Sequence, residues 1–257
     1  MDDLEVHIRR LASVEDTRQT YCCMTEVPTP WPQALCQCRD WVAQHLGDSV
    51  EGYHLRLGSG EVVGHLYYTL SERALIPYEV EAGVGVMYCE WVQRRYQHRG
   101  LGQLLFGTFV DEMRQQDAKG ILVEGTDLEE QMHVRHYQAR GFEVIHQSGH
   151  RKLLYLPLTQ AQVSVRPLQL RIQPRRRAPV EILIVRGYMC PFEISTLVLL
   201  QEVSREFGDR VVVRQVELTP ETLAEYGVAR GIFINGRLKL GGAETEESVR
   251  QAILEEL

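Results

Sequence analysis

The chain has 257 residues, of which 44 % are hydrophobic and 25 % charged, and its formal net charge is −7. These values are typical of an ordinary soluble globular protein with one large or two smaller domains, and the acidic balance excludes a general nucleic-acid binder while tolerating cationic substrates such as amines. Because the sequence contains no apolar run of about 18 residues and starts with the acidic segment MDDLEVHIRR, we expect a cytoplasmic protein that neither spans a membrane nor carries a signal peptide.

Segments with strand and helix patterns alternate through the first part of the chain. Leu4–Arg9 has a strand pattern, and an amphipathic helix is predicted from about Pro32 to Leu46. In HLRLGSGEVVGHLYYTL, two strand-like runs flank Gly58–Gly60, which indicates a hairpin. Val84–Val92, VGVMYCEWV, is nearly continuously apolar and is therefore predicted to be a central strand covered on both faces.

The later elements of this part follow from the same periodicities. Apolar residues recur at helical spacing after position 101, and Gly141 is placed to close a further helix. The predicted elements are a helix over 101–118, a strand over 121–123, a helix over 132–140, and strands over 142–145 and 153–156. This order predicts an α/β (α+β) fold, in which a mixed sheet is flanked by helices on both faces.

Two glycines lie between the apolar strand and the helix that follows it, in RRYQHRGLGQLLF. A helix N-terminus presents amide groups without helical partners and binds phosphate readily. Gly100 and Gly102 would let the backbone approach such an anion, and Arg99, with Arg95 or His98, could add charge-assisted hydrogen bonds. The context of strand, glycine loop and helix therefore predicts a phosphate site.

The stretch WVQRRYQHRGLGQLLF resembles the acetyl-CoA pyrophosphate motif of the GNAT superfamily of N-acetyltransferases, V followed by Q/R-x-x-G-x-G/A. HYQARGF is similar to the family's second signature, a helix ending in Y-x-x-x-G-F. The two motifs are defined here by Val92, Gln97, Gly100, Gly102, Tyr137, Gly141 and Phe142. The resemblance covers residues 1 to about 160. One departure concerns a cofactor-contacting Asn common in the family, because Glu130 and Gln131 stand in that neighbourhood.

The resemblance implies a co-substrate, acetyl-CoA, and a way of binding it. Backbone groups of Glu90, Trp91 and Val92 would contact the pantetheine arm. The pyrophosphate would be held by Gln97, His98, Arg99, Gly100, Leu101 and Gly102. An amine of a small molecule or a protein would then attack the thioester directly. The acceptor site would be built from the helices around 17–46 and the hairpin.

The same resemblance implies two groups for proton transfer. Tyr137 stands where the family often places the acid that protonates the departing thiolate; alternatively, it orders the cofactor by a hydrogen bond. An alkyl amine with a pKa near 10.4 must lose a proton before it attacks. Glu124, which ends the strand ILVE, matches a position used as base by some family members. Glu90, His65 and His133 are alternatives, and any of these groups could instead be structural.

The character of the chain changes around QPRRRAPVE, residues 173–181, whose prolines and arginines are typical of a linker. We predict domains at 1–160 and 180–257 with a linker at 161–179. The order βαβαββα and Cys190-Pro191 at the first helix resemble the thioredoxin fold, and the whole arrangement is similar to the YoaP-like proteins. Glu193 replaces the second cysteine of a redox CxxC. A packing or docking module is therefore indicated, with a thiol-based role for Cys190 as the alternative.

Two functions stay open on this basis. The first is an acetyl-CoA-dependent N-acetyltransferase, and the second is a catalytically silent acetyl-CoA-binding regulator or partner-binding protein. The cysteines at 22, 23, 36 and 38 raise the question of a metal, but they lack paired CxxC spacing, so buried thiols are expected instead of a metal site.

Overall fold

The structure is a computed structural model that describes residues 5–25, 32–128, 132–174, 179–187, 189–240 and 244–257. The arginine run at 175–177 in the predicted linker lies outside these residues. The chain divides into two compact units. The first comprises Met1–Pro28, Val42–Ala74 and Val80–Val165, and the second comprises Thr29–Trp41, Leu75–Glu79 and Arg166–Leu257. Among the described residues, no helix is long and apolar enough to cross a membrane.

Thirteen α-helices and β-strands precede residue 168 in the described chain. They are β1 (Val6–Arg10), α1 (Val14–Thr17), α2 (Pro32–His45), β2 (Glu51–Leu57), β3 (Val62–Leu70), β4 (Tyr78–Val80), β5 (Val84–Val92), α3 (Leu101–Gln115), β6 (Gly120–Thr126), α4 (Val134–Gln138), β7 (Glu143–Ser148), β8 (Arg151–Pro157) and β9 (Val165–Pro167). Seven strands form one sheet in the order β1-β2-β3-β5-β6-β8-β7. Strands β5 and β6 pair in parallel and the other neighbours are antiparallel. The predicted mixed sheet flanked by helices is confirmed.

The hairpin and the central strand are found where the sequence indicated them. Strands β2 and β3 pair antiparallel around the turn at Gly58–Gly60, and β5 lies between β3 and β6. The helix predicted over 132–140 is shorter, because His133 caps its start and Gly141 follows its end with a φ of +90°. The two-stranded sheet of β4 and β9 was not predicted, since its partners lie far apart in sequence.

The parallel pair β5 and β6 opens at one end. Their register runs from Val84↔Gly120 to Met87↔Val123, although β5 continues to Val92 and β6 to Thr126. On the other side of β5, the register with β3 shifts between Tyr67↔Cys89 and Tyr68↔Met87, so Tyr88 is the extra residue of a β-bulge. A bulge bends its strand and increases the local twist. The strand therefore diverges from β6 where the bulge lies.

The core of the first unit lies between the sheet and helices α3 and α4. It combines apolar side chains of β5, β6 and β8 with Phe109 of α3 and Val134 of α4. The spacing of buried residues on α3 explains this face, because Leu105, Phe109 and Met113 follow one another at intervals of four. The helix thus sets its N-terminus, at Leu101, beside the end of β5.

The second unit contains its own sheet. Its elements after β9 are β10 (Val180–Arg186), α5 (Pro191–Ser204), β11 (Val211–Glu217), α6 (Pro220–Tyr226), β12 (Gly231–Ile234), β13 (Arg237–Leu240) and α7 (Glu246–Leu254). The strand order is β11-β10-β12-β13, with β10 and β11 parallel and the other pairs antiparallel. The predicted element order βαβαββα is therefore present.

Local signals account for the boundaries in this unit. Thr219 caps α6 through a capping box with Thr222. Asn235 and Gly236 both have positive φ, 49° and 77°, as a tight hairpin turn requires. Helix α5 ends at Ser204, and a 3₁₀ segment with a positive φ of +55° at Gly208 follows it.

Candidate functional site

The turn between β5 and α3 is held by the end of the strand. The side-chain amide of Gln97 donates to the Val92 carbonyl at 2.8 Å, which closes the turn on itself. His98 and Gly100 both have left-handed φ values, 59° and 79°. Such a conformation is ordinary for glycine and costly for other residues. Gly100 is the N-cap of α3, so the requirement for glycine in RRYQHRGLGQLLF arises at this position.

The first turn of α3 offers backbone donors. Leu104 donates the first helical hydrogen bond, to the Gly100 carbonyl at 3.0 Å. The amide groups of residues 101–103 precede it and have no acceptor within the helix. Gly102 is one of these residues, and a Cβ on it would lie 3.4 Å from Arg140 Nη2. This terminus therefore has the donors and the positive dipole end that suit an anion.

Basic side chains surround this turn, but they are not equally available. Arg95 forms an ion pair with Glu61 and lies over the ring of Tyr96, with its Cζ 4.8 Å from the centroid. His98 and Arg99 are exposed beside Gly100. The predicted phosphate-binding residues therefore lie together at the turn and the start of α3; they are Gln97, His98, Arg99, Gly100, Leu101 and Gly102. Arg95 is paired with Glu61 instead.

The three strand residues predicted to contact an extended ligand lie where β5 leaves β6. Glu90, Trp91 and Val92 pair on one side with Leu66, His65 and Gly64 of β3. On the other side the β5–β6 register has already ended at Met87. The backbone edge of these three residues therefore faces the opening between the two strands, next to the start of α3.

The side chain of Glu90 makes a buried ion pair across this opening. Arg140 donates twice to it, from Nη1 to Oε2 at 2.5 Å and from Nη2 to Oε1 at 2.9 Å. His136 Nε2 lies 3.8 Å from the same carboxylate. Burial raises the pKa of the Glu90 carboxyl, but the interactions with His136 and Arg140 outweigh it, and the net pKa is lowered. Glu90, an alternative base in the sequence, is therefore a charged ion-pair partner.

Tyr137 lies in the core at the end of α4, with 1 % of its surface exposed. Its ring is 5.7 Å from that of Phe142 and would contact any Cβ placed on Gly125 of β6, at 3.5 Å. Burial raises the pKa of its hydroxyl well above 10, and the negative charge of Glu90 adds to this effect. The phenol is therefore uncharged at physiological pH and retains the proton that it needs to donate a hydrogen bond.

Glu124 is the first residue of β6 beyond its last pair with β5. Since side chains alternate along a strand and Gly125 faces Tyr137, Glu124 points to the opposite face of the sheet. Its carboxylate lies 3.7 Å from Arg151 Nη1 and is partly exposed. Glu124 and Tyr137, the two predicted proton-transfer residues, therefore lie on opposite faces of the sheet at the end of β6.

Comparison with known protein families identifies the family of the region that contains these residues. Residues 15–142 match the acetyltransferase (GNAT) family, and this span contains the turn, the open strand pair and Tyr137. Residues 15–142 form a GNAT acetyltransferase domain. None of the curated proteins searched matches the chain significantly.

Solved GNAT structures resemble the chain only distantly. The ribosomal-protein-S18-alanine N-acetyltransferase from Escherichia coli is 15 % identical over 61 % of this chain and 96 % of its own, with a TM-score of 0.44. A GNAT family acetyltransferase from Brucella melitensis, in complex with acetyl-CoA, is 20 % identical over 63 % and 95 %, with a TM-score of 0.42. A GNAT N-acetyltransferase from Escherichia coli in complex with CoA is 15 % identical over 62 % and 84 %, with a TM-score of 0.45.

Histidines and cysteines of the GNAT domain occupy other positions. His65 is fully buried, with its Nδ1 3.2 Å from Cys22 Sγ and its Nε2 3.5 Å from Cys89 Sγ. Burial lowers its pKa to about 3, and the nearby His54 adds to this effect, so His65 stays neutral. His133 accepts a hydrogen bond from the Arg135 amide as the N-cap of α4. Of the alternative bases, His65 is therefore a neutral core residue and His133 is a helix cap.

The cysteines that raised the question of a metal do not share one environment. Cys22 and Cys38 are buried, Cys23 is half-buried and Cys36 is exposed. Within the described residues, no three His, Cys, Asp or Glu side chains are arranged to hold a metal ion. The neighbourhood of Glu130 and Gln131, where the family often has Asn, lies outside the described part of the GNAT domain.

Sequence reasoning missed Arg140. The residue stands inside HYQARGF, but its partner Glu90 is 50 positions earlier. A carboxylate in an otherwise apolar strand was the available signal, because a buried charge requires a partner.

Proposed function

We propose that this protein is an N-acetyltransferase that transfers the acetyl group of acetyl-CoA directly to a primary amine. The observation that carries the proposal is the opening between β5 and β6 beside the glycine turn at the start of α3, within a GNAT domain. An extended thioester can lie along the free edge of β5 while its phosphates reach the helix N-terminus.

In this proposal each part of the co-substrate has its own partner. Backbone groups of Glu90, Trp91 and Val92 bind the pantetheine arm, in the manner of an added strand. The amides of residues 101–103, with the exposed Arg99 and His98, bind the pyrophosphate. Gln97 supports them indirectly, since its side chain is committed to the Val92 carbonyl.

The chemistry requires a proton to leave the amine and a charge to be stabilised on sulfur. The amine nitrogen forms a bond to the acetyl carbonyl carbon, the carbon–sulfur bond breaks, and CoA departs as a thiolate. Glu124 accepts the amine proton directly or through water. Tyr137 donates a hydrogen bond to the thiolate; because its pKa is raised well above 10 and that of a thiol is about 8.5, complete proton transfer from Tyr137 is unfavourable.

The second unit has a different proposed role. We propose that residues 180–257 form a thioredoxin-like packing or docking domain, joined to the acetyltransferase domain of residues 1–160 by a linker at 161–179. The strand order β11-β10-β12-β13 and Cys190 as N-cap of α5 support this resemblance. Glu193 stands where a resolving cysteine would be required, which argues against dithiol redox chemistry.

The proposed activity is tested by thiol release. The purified full chain is incubated with acetyl-CoA and a panel of polyamines, aminoglycosides, amino acids and peptides, and free CoA is measured with a thiol reagent. We expect release with at least one class of amine, and a marked loss of release in Tyr137→Phe. The acetylated product is verified by its mass.

Calorimetric titration with acetyl-CoA distinguishes a protein that binds the co-substrate without turnover from one that does not bind it. Binding of acetyl-CoA without turnover above background for any amine contradicts the catalytic proposal and favours a silent acetyl-CoA-binding regulator. Absence of binding by the folded protein contradicts the assignment of the co-substrate itself.

A further inference from the structure

The buried ion pair between Glu90 and Arg140 is not explained by stability alone. The side chains are 5 % and 11 % exposed, and they meet through two hydrogen bonds. Removing two charges from water is costly, and apolar side chains of similar volume often stabilise a core as well as a buried ion pair does. Packing alone therefore does not account for a buried ion pair at this position.

The pair connects the parts of the candidate site. Glu90 is on β5 beyond the last β5–β6 pair, where the thioester is proposed to lie. Arg140 follows Tyr137 by three residues and donates its backbone amide to the Tyr137 carbonyl at 2.9 Å. Its guanidinium lies 4.4 Å from the centroid of the Phe106 ring on α3. One side chain thus joins the strand edge, the phosphate-binding helix and the helix that carries the tyrosine.

We propose that Glu90 and Arg140 are a positioning pair that fixes the Tyr137 hydroxyl against the open end of β5. This inference rests on the proposed acetyl transfer at that site. Helix α4 has only five residues, and the ion pair holds the chain to β5 three residues after Tyr137. The bidentate geometry determines both distance and orientation, which a single hydrogen bond to a flexible lysine would not do.

The expected effect of breaking the pair is on turnover. Because a displacement of about 1 Å can lower a rate up to about 100-fold, we expect Glu90→Gln to reduce kcat roughly tenfold or more. The KM for acetyl-CoA should change less than about threefold, since the backbone of β5 and the turn at Gly100 are retained. Glu90→Asp, which keeps the charge, should recover part of the rate.

A double-mutant cycle with Tyr137→Phe decides whether the pair acts through the tyrosine. If it does, Glu90→Gln in the Tyr137→Phe background should cost less than about twofold further, because nothing remains to be positioned. A full tenfold loss in that background overturns the proposal, and so does a large rise in KM with unchanged kcat. Asp111→Asn is the matched control, since it removes the exposed Arg114–Asp111 ion pair of α3 and should leave kcat unchanged.

A second measurement needs no turnover. In protein labelled with fluorotyrosine, the ¹⁹F resonance of Tyr137 is assigned by its loss in Tyr137→Phe. We expect this resonance to broaden or split in Glu90→Gln and Arg140→Lys, and to stay as in wild type in Asp111→Asn. An unchanged line shape in both pair variants overturns the positioning role, whereas absence of thiol release by the wild type with a positive ¹⁹F result contradicts only the proposed function.

Discussion

Replacing Gly100 by valine tests the glycine turn directly. Gly100 has a φ of +79°, and a Cβ on it would have no described heavy atom within 4 Å apart from those of its neighbours along the chain. The expected damage is therefore conformational rather than a collision in the free protein. An L-residue in this region costs about 1–2 kcal/mol, and a β-branched side chain costs more. The chain can bear this strain or rotate out of the left-handed conformation.

Either response should weaken acetyl-CoA binding. Rotation turns the amides of residues 101–103 away from the pyrophosphate, and retention of the turn places a branched side chain where the phosphates are proposed to approach. A hydrogen bond to a charged group is worth about 1.5–3 kcal/mol, so losing two of them costs about 3–6 kcal/mol. At 1.4 kcal/mol for each factor of ten, Kd should rise roughly 100-fold to 10,000-fold.

Calorimetric titration with acetyl-CoA measures this change, and thermal unfolding measures the strain. Gly107→Ala is the control, because Gly107 lies within the same helix and also has open space around a Cβ. It should bind as wild type and unfold at the same or a higher temperature, since alanine favours a helix over glycine by about 1 kcal/mol. A folded Gly100→Val protein with wild-type affinity would refute the phosphate-binding role of the turn.

Further predictions concern the other site residues. Gly102→Ala should keep acetyl-CoA affinity within about threefold by calorimetry, because its Cβ meets Arg140 at an ordinary 3.4 Å. Glu124→Gln should lower kcat by about 10–100-fold, whereas an unchanged kcat assigns the base elsewhere. Because the pKa of Tyr137 is raised, no basic inflection below pH 10 should depend on Tyr137, which the profile of Tyr137→Phe checks. For Glu90, the lowered folded pKa means that its stabilisation is complete above the unfolded value of about 4.3 and is lost as pH falls through the folded pKa. Urea unfolding should therefore show Glu90→Gln less stable by about 3–5 kcal/mol at pH 7, with a smaller difference below pH 4, and equal stability at pH 7 would contradict the ion pair.

Local patterns in the sequence were sufficient for the elements that frame the site. The apolar run ending at Val92, the glycines and the helical periodicity from Leu101 predicted the strand, turn and helix, and the structure confirms each. These features are local because each depends on residues a few positions apart. The Thr219 cap and the Asn235-Gly236 turn of the second unit depend on local residues in the same way.

The features that shape the opening are not local. The bulge at Tyr88 depends on the register with β3, and the last β5–β6 pair at Met87 depends on how the two strands twist. The partner of Glu90 is likewise set by where α4 ends. A single sequence contains the residues of these contacts, but not the pairings between them.

The placement of Tyr137 and Glu124 on opposite faces of β6 bears on the direction of the proposed reaction. Gly125 follows Glu124 and faces Tyr137: a Cβ there would lie 3.1 Å from both the Met132 carbonyl and Leu154 Cδ1, which is tight, and 3.5 Å from the Tyr137 ring. In direct transfer the amine adds to one side of the acetyl carbon, and the sulfur departs from another. In the proposed mechanism, Glu124 as base on one face and Tyr137 as hydrogen-bond donor on the other would serve these two events separately. A covalent acetyl-enzyme would instead require a nucleophile at the opening, and the nearest thiol, Cys89, is associated with a neutral, buried imidazole that is a poor base for activating it. The arrangement therefore favours one-step transfer, with the amine approaching from the Glu124 side.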